Sequence, residues 1–216
     1  VTMDEARAIA EERLGGWKSG TAAAAAVEPG PEPAPRASTT IYLIDKPGAA
    51  QSVIRAGHIS VHRKHADYFK LLLLNHTFGG QFTGRLNMNL RQDKGYSYGY
   101  YSTIDWLTGP SALFAGGAVE TAVTKEAVVE TLKEFTDIRK ERVVTPDEFH
   151  AARDGIFRGF PSQFETQGQV LQGLSRLAMF GLPDDYYSGV MESLNSQTLE
   201  QVQAVASERV DDRRLV

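Results

Sequence analysis

Arg85, Arg91 and Tyr98 are the side chains whose types and spacing best suit chemistry on a carbonyl group. They fall in the stretch 79–98, which opens with Gly79-Gly80 and runs through Arg85-Leu86, Leu90-Arg91, Asp93-Lys94 and Gly95 to Tyr98. A guanidinium is a planar fork of five N–H donors, and a phenol adds one O–H. Both suit peptide carbonyls, or an oxygen on which negative charge develops during acyl transfer. The chain shows no obvious nucleophile, metal site or nucleotide loop of its own. On spacing alone, Arg91 reads as a solvated cation at a helix C-terminus, where it favours the macrodipole. Arg85 reads as a brace paired with an acidic neighbour. Tyr96, Tyr100 and Tyr101 read as strand packing residues.

The elements that must position these groups follow from periodicity. The glycine pair breaks one helix, 65–78, and opens a second, 82–92. A Lys-Gly turn leads into a tyrosine-rich strand, 97–106, paired with another at 112–119. Earlier strands are expected at 40–45 and 51–58, joined by the turn Lys46-Pro47-Gly48-Ala49. Later helices are expected at 124–142, at 146–160 with Thr145 as cap and Pro146 in the first turn, at 162–180 closed by Gly181, at 184–194, and at 199–209 capped by Thr198. The N-terminal segment 2–17 reads as a helix with a Thr2/Glu5 capping box. Residues 18–39, with Ala22 to Ala26 and then alternating prolines, read as a linker. The order of strands and helices predicts an α+β layer, an antiparallel or mixed sheet with helices packed on one face.

The 216 residues suffice for one ordinary domain, or one with an appendage. A net charge of −4 gives no electrostatic reason to expect nucleic acid as a partner. No apolar run approaches the roughly 20 residues that cross a bilayer. The absence of cysteine excludes disulfides and thiolate chemistry but leaves the compartment open. Both ends read as cut from a longer protein.

Taken together, Gly79-Gly80, Thr83, Arg85-Leu86, Leu90-Arg91, Asp93-Lys94, Gly95 and Tyr98 resemble the C-terminal half of the pitrilysin/insulysin family of zinc metallopeptidases, which includes the mitochondrial processing peptidase. Residues 45–52 look like that family's hairpin before the first long helix. Gly181-Leu182-Pro183-Asp184-Asp185-Tyr186-Tyr187 looks like its late helix–helix connection, and residues 8–17 look like the last helix of the preceding subdomain. The resemblance therefore divides the chain into 1–17 as the end of a preceding subdomain, 18–39 as linker, and 40–216 as a peptidase-like C-terminal domain.

The family's active half carries an inverted His-x-x-Glu-His helix and a distant glutamate, which hold zinc and activate water. No such motif occurs here. Asn75-His76-Thr77 stands in the corresponding helix region and supplies no ligand set. The resemblance thus implies the non-metal half of a clamshell, with no catalytic or metal residues of its own and zinc held by a partner half, fused or separate. It implies an extended peptide as substrate. It gives Arg91 and Tyr98, seven residues apart, the task of reaching across the chamber to that peptide, and one such donor is worth on the order of 3 kcal/mol in a transition state. Gly79 and Gly80 enter as further peptide contacts. Bacterial members occur in periplasm and cytoplasm, so localisation stays open between them. A structural or scaffold subunit of the same fold, as found among core proteins of respiratory complexes, is the rival reading.

Other groups admit blander accounts. Gly79, Gly80 and Gly84 lack the Gly-Lys-Ser/Thr ending of a phosphate loop and read as a close helix–helix turn. His58, His62 and His65 are enough for a zinc ion, but Arg63 and Lys64 oppose a cation and the three read as solvated loop histidines. His150 reads as structural. Phe157, Phe160, Phe164, Phe180, Tyr186 and Tyr187 read as core at helical spacing, with a ligand pocket as the alternative. Asp211 to Arg214 read as a solvated turn.

Overall fold

The structure is a computed structural model that describes residues 1–18, 34 and 36–216. The chain forms two compact units, Val1–Gly30 and Pro31–Val216. The alanine run 22–26 and Pro29, Pro31, Pro33 and Pro35 of the expected linker lie outside the described residues.

In the first unit, helix α1 spans Met3–Leu14. Its capping box forms as the sequence demands: Glu5 N–H donates to the Thr2 hydroxyl at 3.3 Å, and Thr2 N–H donates to the Glu5 carboxylate at 2.7 Å.

In the second unit, strands β1 (Gln51–Ser60), β2 (Ser97–Asp105) and β3 (Ser111–Glu120) make an antiparallel sheet in the order β1-β3-β2. Gln51 faces Glu120 across the first pair, and Asp105 faces Ala112 across the second. Alternation sends Ile54, Ala56 and His58 toward the helices and leaves Val53 and Ile59 exposed on the open face. The α+β layer with helices on one face is therefore what the chain adopts. Residues 40–45 are not a strand. Ile41, Leu43 and Ile44 are exposed, and Thr40 N–H reaches only the Leu215 carbonyl, at 2.9 Å. A β-branched run gains its strand character from a ladder and packed neighbours, and this one has neither. The outer edge of β1 is met instead by Val216, which exchanges two 2.9 Å backbone hydrogen bonds with Gly57.

The helical layer is centred on α2 (Tyr68–Asn75), followed by α3 (Arg85–Asn87), α4 (Thr124–Asp137), α5 (Pro146–Gly159), α6 (Gln167–Phe180), α7 (Tyr186–Asn195) and α8 (Leu199–Arg209). Leu71, Leu73 and Leu74 of α2 are fully buried, each contributing about 2 kcal/mol by leaving water. Phe78 meets Phe135 of α4 edge-on at 5.0 Å. Four helices differ from their expected extents. The two around the glycine pair finish in π-turns, His76–Gly80 and Met88–Asp93. The helix expected at 162–180 is broken: a 3-10 turn at Pro161–Phe164 ends, and Thr166 caps a new helix through a Gln169 capping box. The chain beyond Asp137 leaves the helix early, as Lys140 and Arg142 N–H both turn back to the Asp137 carbonyl. Gly181 ends α6 with φ +55°, a left-handed cap suited to glycine.

Candidate functional site

The stretch 79–98 is assembled by close backbone approach. A Cβ on Gly79 would stand 2.7 Å from both Leu86 Cδ1 and Ser102 N, and one on Gly84 would stand 2.8 Å from Gly79 Cα. The glycines thus let the first π-turn sit directly on β2 and the start of α3. Gly79 is buried by this contact and Gly80 is exposed. Asn75 Oδ1 accepts from the Ser102 hydroxyl at 2.8 Å, and Asn87 Oδ1 accepts from Tyr100 N–H at 3.1 Å. These asparagines cover polar groups of β2 that no neighbouring strand meets. Sequence reasoning passed over both. The available signal was an amide in an apolar helical run, since a buried polar side chain requires a partner.

The second π-turn is clamped from below. Asn89 Nδ2 donates to Glu130 at 3.0 Å and to Glu134 at 2.8 Å, while Lys94 pairs with Glu130 at 3.5 Å. Those partners hold the Glu130 carboxyl below its ordinary range, the Asn89 hydrogen bond outweighing burial. Arg85 is locked more firmly. Its Nε and Nη2 grip the two Glu148 oxygens at 2.6 Å each, and it donates to the carbonyls of Arg142 and Val143. This is the brace expected from the sequence. Burial would raise the Glu148 carboxyl, but Arg85 and the Thr145 N–H hold it below the ordinary value.

Arg91 is what remains after this clamping. It is half-buried, with its guanidinium 4.4 Å above the Phe82 ring. Among the described residues, no carboxylate lies within ion-pair distance of it. Gly95, with φ +68°, then reverses the chain: Gly95 N–H returns to the Arg91 carbonyl at 3.2 Å and Tyr96 N–H to Leu90 at 2.8 Å. β2 starts with a bulge, because Ser97 faces Val119 while Tyr100 faces Gly117. The Ser97 hydroxyl lies 2.8 and 2.7 Å from the Gly99 and Ala118 carbonyls, between which its one proton is shared, closing the extra residue. A bulge re-aims the side chain it contains. Tyr98 is 90% exposed, whereas Tyr100 is wholly buried with its hydroxyl 2.7 Å from Thr131. Tyr100 therefore packs, as expected. Tyr96 is half-buried against the core, and Tyr101 lies 43% exposed on the open sheet face.

The histidine cluster is not assembled as one site. His62 and His65 rings lie 5.7 Å apart, but His58 has both nitrogens engaged, Nδ1 with the Ile59 carbonyl and Nε2 with Asp211 N–H. Burial holds the His58 imidazole below its ordinary value, so it is a structural group and not the solvated one expected. Among the described residues, no group of three or more His, Cys, Asp or Glu could hold a metal ion. The turn at 211–214 is likewise less solvated than expected, because the Asp212 side chain is buried against Arg139. No helix among the described residues is long and apolar enough to cross a membrane.

A family model described as "Peptidase M16 inactive domain" matches residues 1–156. Among solved structures, a protease from Helicobacter pylori aligns over 100% of this chain and 52% of its own, with TM-score 0.81 and 16% identity. The peptidase M16 inactive domain from Pseudomonas fluorescens aligns over 78% of this chain and 40% of its own, with TM-score 0.70 and 19% identity. A chain of complex III2 from Candida albicans aligns over 78% and 42%, with TM-score 0.67 and 10% identity. At these identities the structural likeness is one of fold. The chain spans about half or less of the length of these relatives. No curated protein matches it.

Proposed function

The chain belongs to the peptidase M16 inactive-domain family, and from that premise we propose that it is the substrate-binding, non-zinc half of a metalloendopeptidase. Residues 40–216 form the covering half, residues 1–17 end a preceding subdomain, and 18–39 link them. Zinc belongs to a second half bearing His-x-x-Glu-His, on the same polypeptide or on a partner subunit. An extended peptide lies between the halves, and this chain alone does not hydrolyse it.

The observation that carries the reading is the contrast inside one short segment. Arg85, Asn87, Asn89 and Lys94 are all bound to neighbours, while Arg91 rests on Phe82 with no acidic partner among the described residues and the bulge holds Tyr98 out in solvent. Arg91 offers its fork to backbone carbonyls, and the Tyr98 hydroxyl donates to the scissile carbonyl oxygen or its neighbour. Gly79 and Gly80 contribute backbone at the floor of the same region. Exposed Phe82 and Met88 add apolar surface for peptide side chains.

The test is peptide turnover in the assembly that contains the zinc-bearing half, with and without this chain. Turnover should require both. Arg91→Ala and Tyr98→Phe should each lower it while zinc content stays unchanged. Turnover that ignores both substitutions would replace this reading with that of a scaffold subunit, the role that the fold likeness to a complex III chain suggests.

A further inference from the structure

Arg63 is buried, 8% exposed, and among the described residues no carboxylate lies within ion-pair distance of it. Withdrawing a guanidinium from water without a counter-charge is costly. Aromatic faces offset part of that cost. Its Cζ stands 3.5 Å over the Tyr68 ring, 5.1 Å from that of Tyr186 and 5.8 Å from that of Phe180. Nη2 donates to the Tyr186 hydroxyl at 2.6 Å. This uses one of five donors.

Beside it lies a cavity of about 780 Å³ between α2, α5, α6, α7 and the end of β2, within the size range of small-ligand sites. Trp106, Phe160 and Phe180 give it apolar walls. A second guanidinium, Arg176, lines it from α6 and has no ion-pair partner among the described residues. Both arginines act on the Tyr68 phenol, whose pKa burial pushes up to about 12 while they oppose the rise. Asp105 also lines it, beyond ion-pair distance of either arginine. His76 also lines the cavity, and its Nε2 is buried with no hydrogen-bond partner. Two cations, one acid paired with neither, and aromatic walls fit a singly charged anion with an apolar body. A more highly charged anion would leave charge unmatched beside Asp105.

We infer that this cavity binds an apolar molecule bearing one carboxylate, with Arg63 and Arg176 gripping the carboxylate and the aromatic walls enclosing the rest. The carboxylate belongs to a free aromatic or aliphatic acid, or to the C-terminus of a peptide ending in an apolar residue. The inference does not rest on the peptidase reading, because it concerns binding to this chain without hydrolysis.

The test is titration calorimetry on the protein carrying this chain, with 3-phenylpropionate, its uncharged amide, and a short peptide ending in phenylalanine with a free or amidated C-terminus. The acid should bind at least ~10-fold more tightly than the amide, as a charge-assisted pair demands. Arg176→Gln should weaken the acid by ~10-fold or more and leave the amide unchanged. Arg63→Gln should abolish the preference. If Arg63→Gln fails to fold, the acid-to-amide ratio and Arg176→Gln decide alone. Tighter binding of the free-ended peptide than of the acid assigns the site to peptide termini, and the reverse assigns it to small acids. Failure of the acid and the free-ended peptide to bind, equal binding of charged and uncharged forms, or indifference to Arg176→Gln overturns the inference and leaves Arg63 as a packing cation.

Discussion

Arg85 and Arg91 stand on one short helical segment, and the structure treats them in opposite ways. Arg85 is buried and spends its fork on both Glu148 oxygens and two loop carbonyls. Arg91 lies over the face of Phe82 and has no ion-pair partner among the described residues. The difference teaches that a guanidinium's role is set by what the surrounding elements leave for it. The loop at 142–143 and the first turn of α5 fold over Arg85 and use it up. Among the described residues nothing acidic reaches Arg91, so its donors remain for something else.

The largest expected effect tests the first half of that contrast. Arg85→Ala leaves Glu148 without its partner and two carbonyls without a donor, and it should destabilise the fold by about 3–5 kcal/mol. Equilibrium denaturation measures this directly. A loss under about 1 kcal/mol would mean that the brace is not one, and the two arginines would no longer differ in kind.

The second half of the contrast calls for the opposite signature. Arg91→Ala should change stability by less than about 0.5 kcal/mol, as for a surface substitution. In the complete assembly it should lower turnover on the order of 100-fold, the size of a lost transition-state donor. Tyr98→Phe should divide the same way, with a cooperative melt unaltered and the hydroxyl's share of turnover gone. An Arg91→Ala variant that melts early would show that Arg91 is a structural cation too.

The turn between the two residues carries a smaller effect. Gly95 has φ +68° with open space where a Cβ would go, so Gly95→Ala costs backbone strain alone, about 1 kcal/mol. A loss of turnover larger than this change in stability would show that the turn aims Tyr98. A neutral substitution would show that the reversal is set by the ladder around it.

Much of this was legible in the residues. The capping box at Thr2, the caps at Thr145 and Thr198 and the glycine stop at Gly181 are local chemistry, and all of them form, the two caps as full boxes with Glu148 and Gln201. The strand expected at 40–45 fails because a strand needs neighbours, which no propensity supplies. The first π-turn was invisible because Gly79 within it closes on Gly84 and on β2, a tertiary contact. The bulge at Tyr98 was hidden for a similar reason, since a register shift exists only between two strands. Arg63 carried a misleading signal: beside His62 and Lys64 it read as one more loop charge, whereas rings from α2 and from 180 and 186 enclose it.

Acid titration sharpens the comparison at its finest scale. The Glu148 carboxyl lies below its ordinary value of about 4.3, so the folded state binds fewer protons there than the unfolded state. Its contribution is complete above the ordinary value and is lost as pH falls through the folded one. The stability difference between the parent protein and Glu148→Gln should therefore be widest near neutrality and narrow steadily below about pH 4.3. Asp67, Glu130 and Asp211 are also held below their ordinary values, and they affect both proteins equally, so they cancel in the difference. The same subtraction for Arg91→Ala should give a flat line across the acid range, because no carboxylate among the described residues is waiting there to lose its partner. Curvature in that second line would reveal an acidic neighbour for Arg91 and would place it with Arg85.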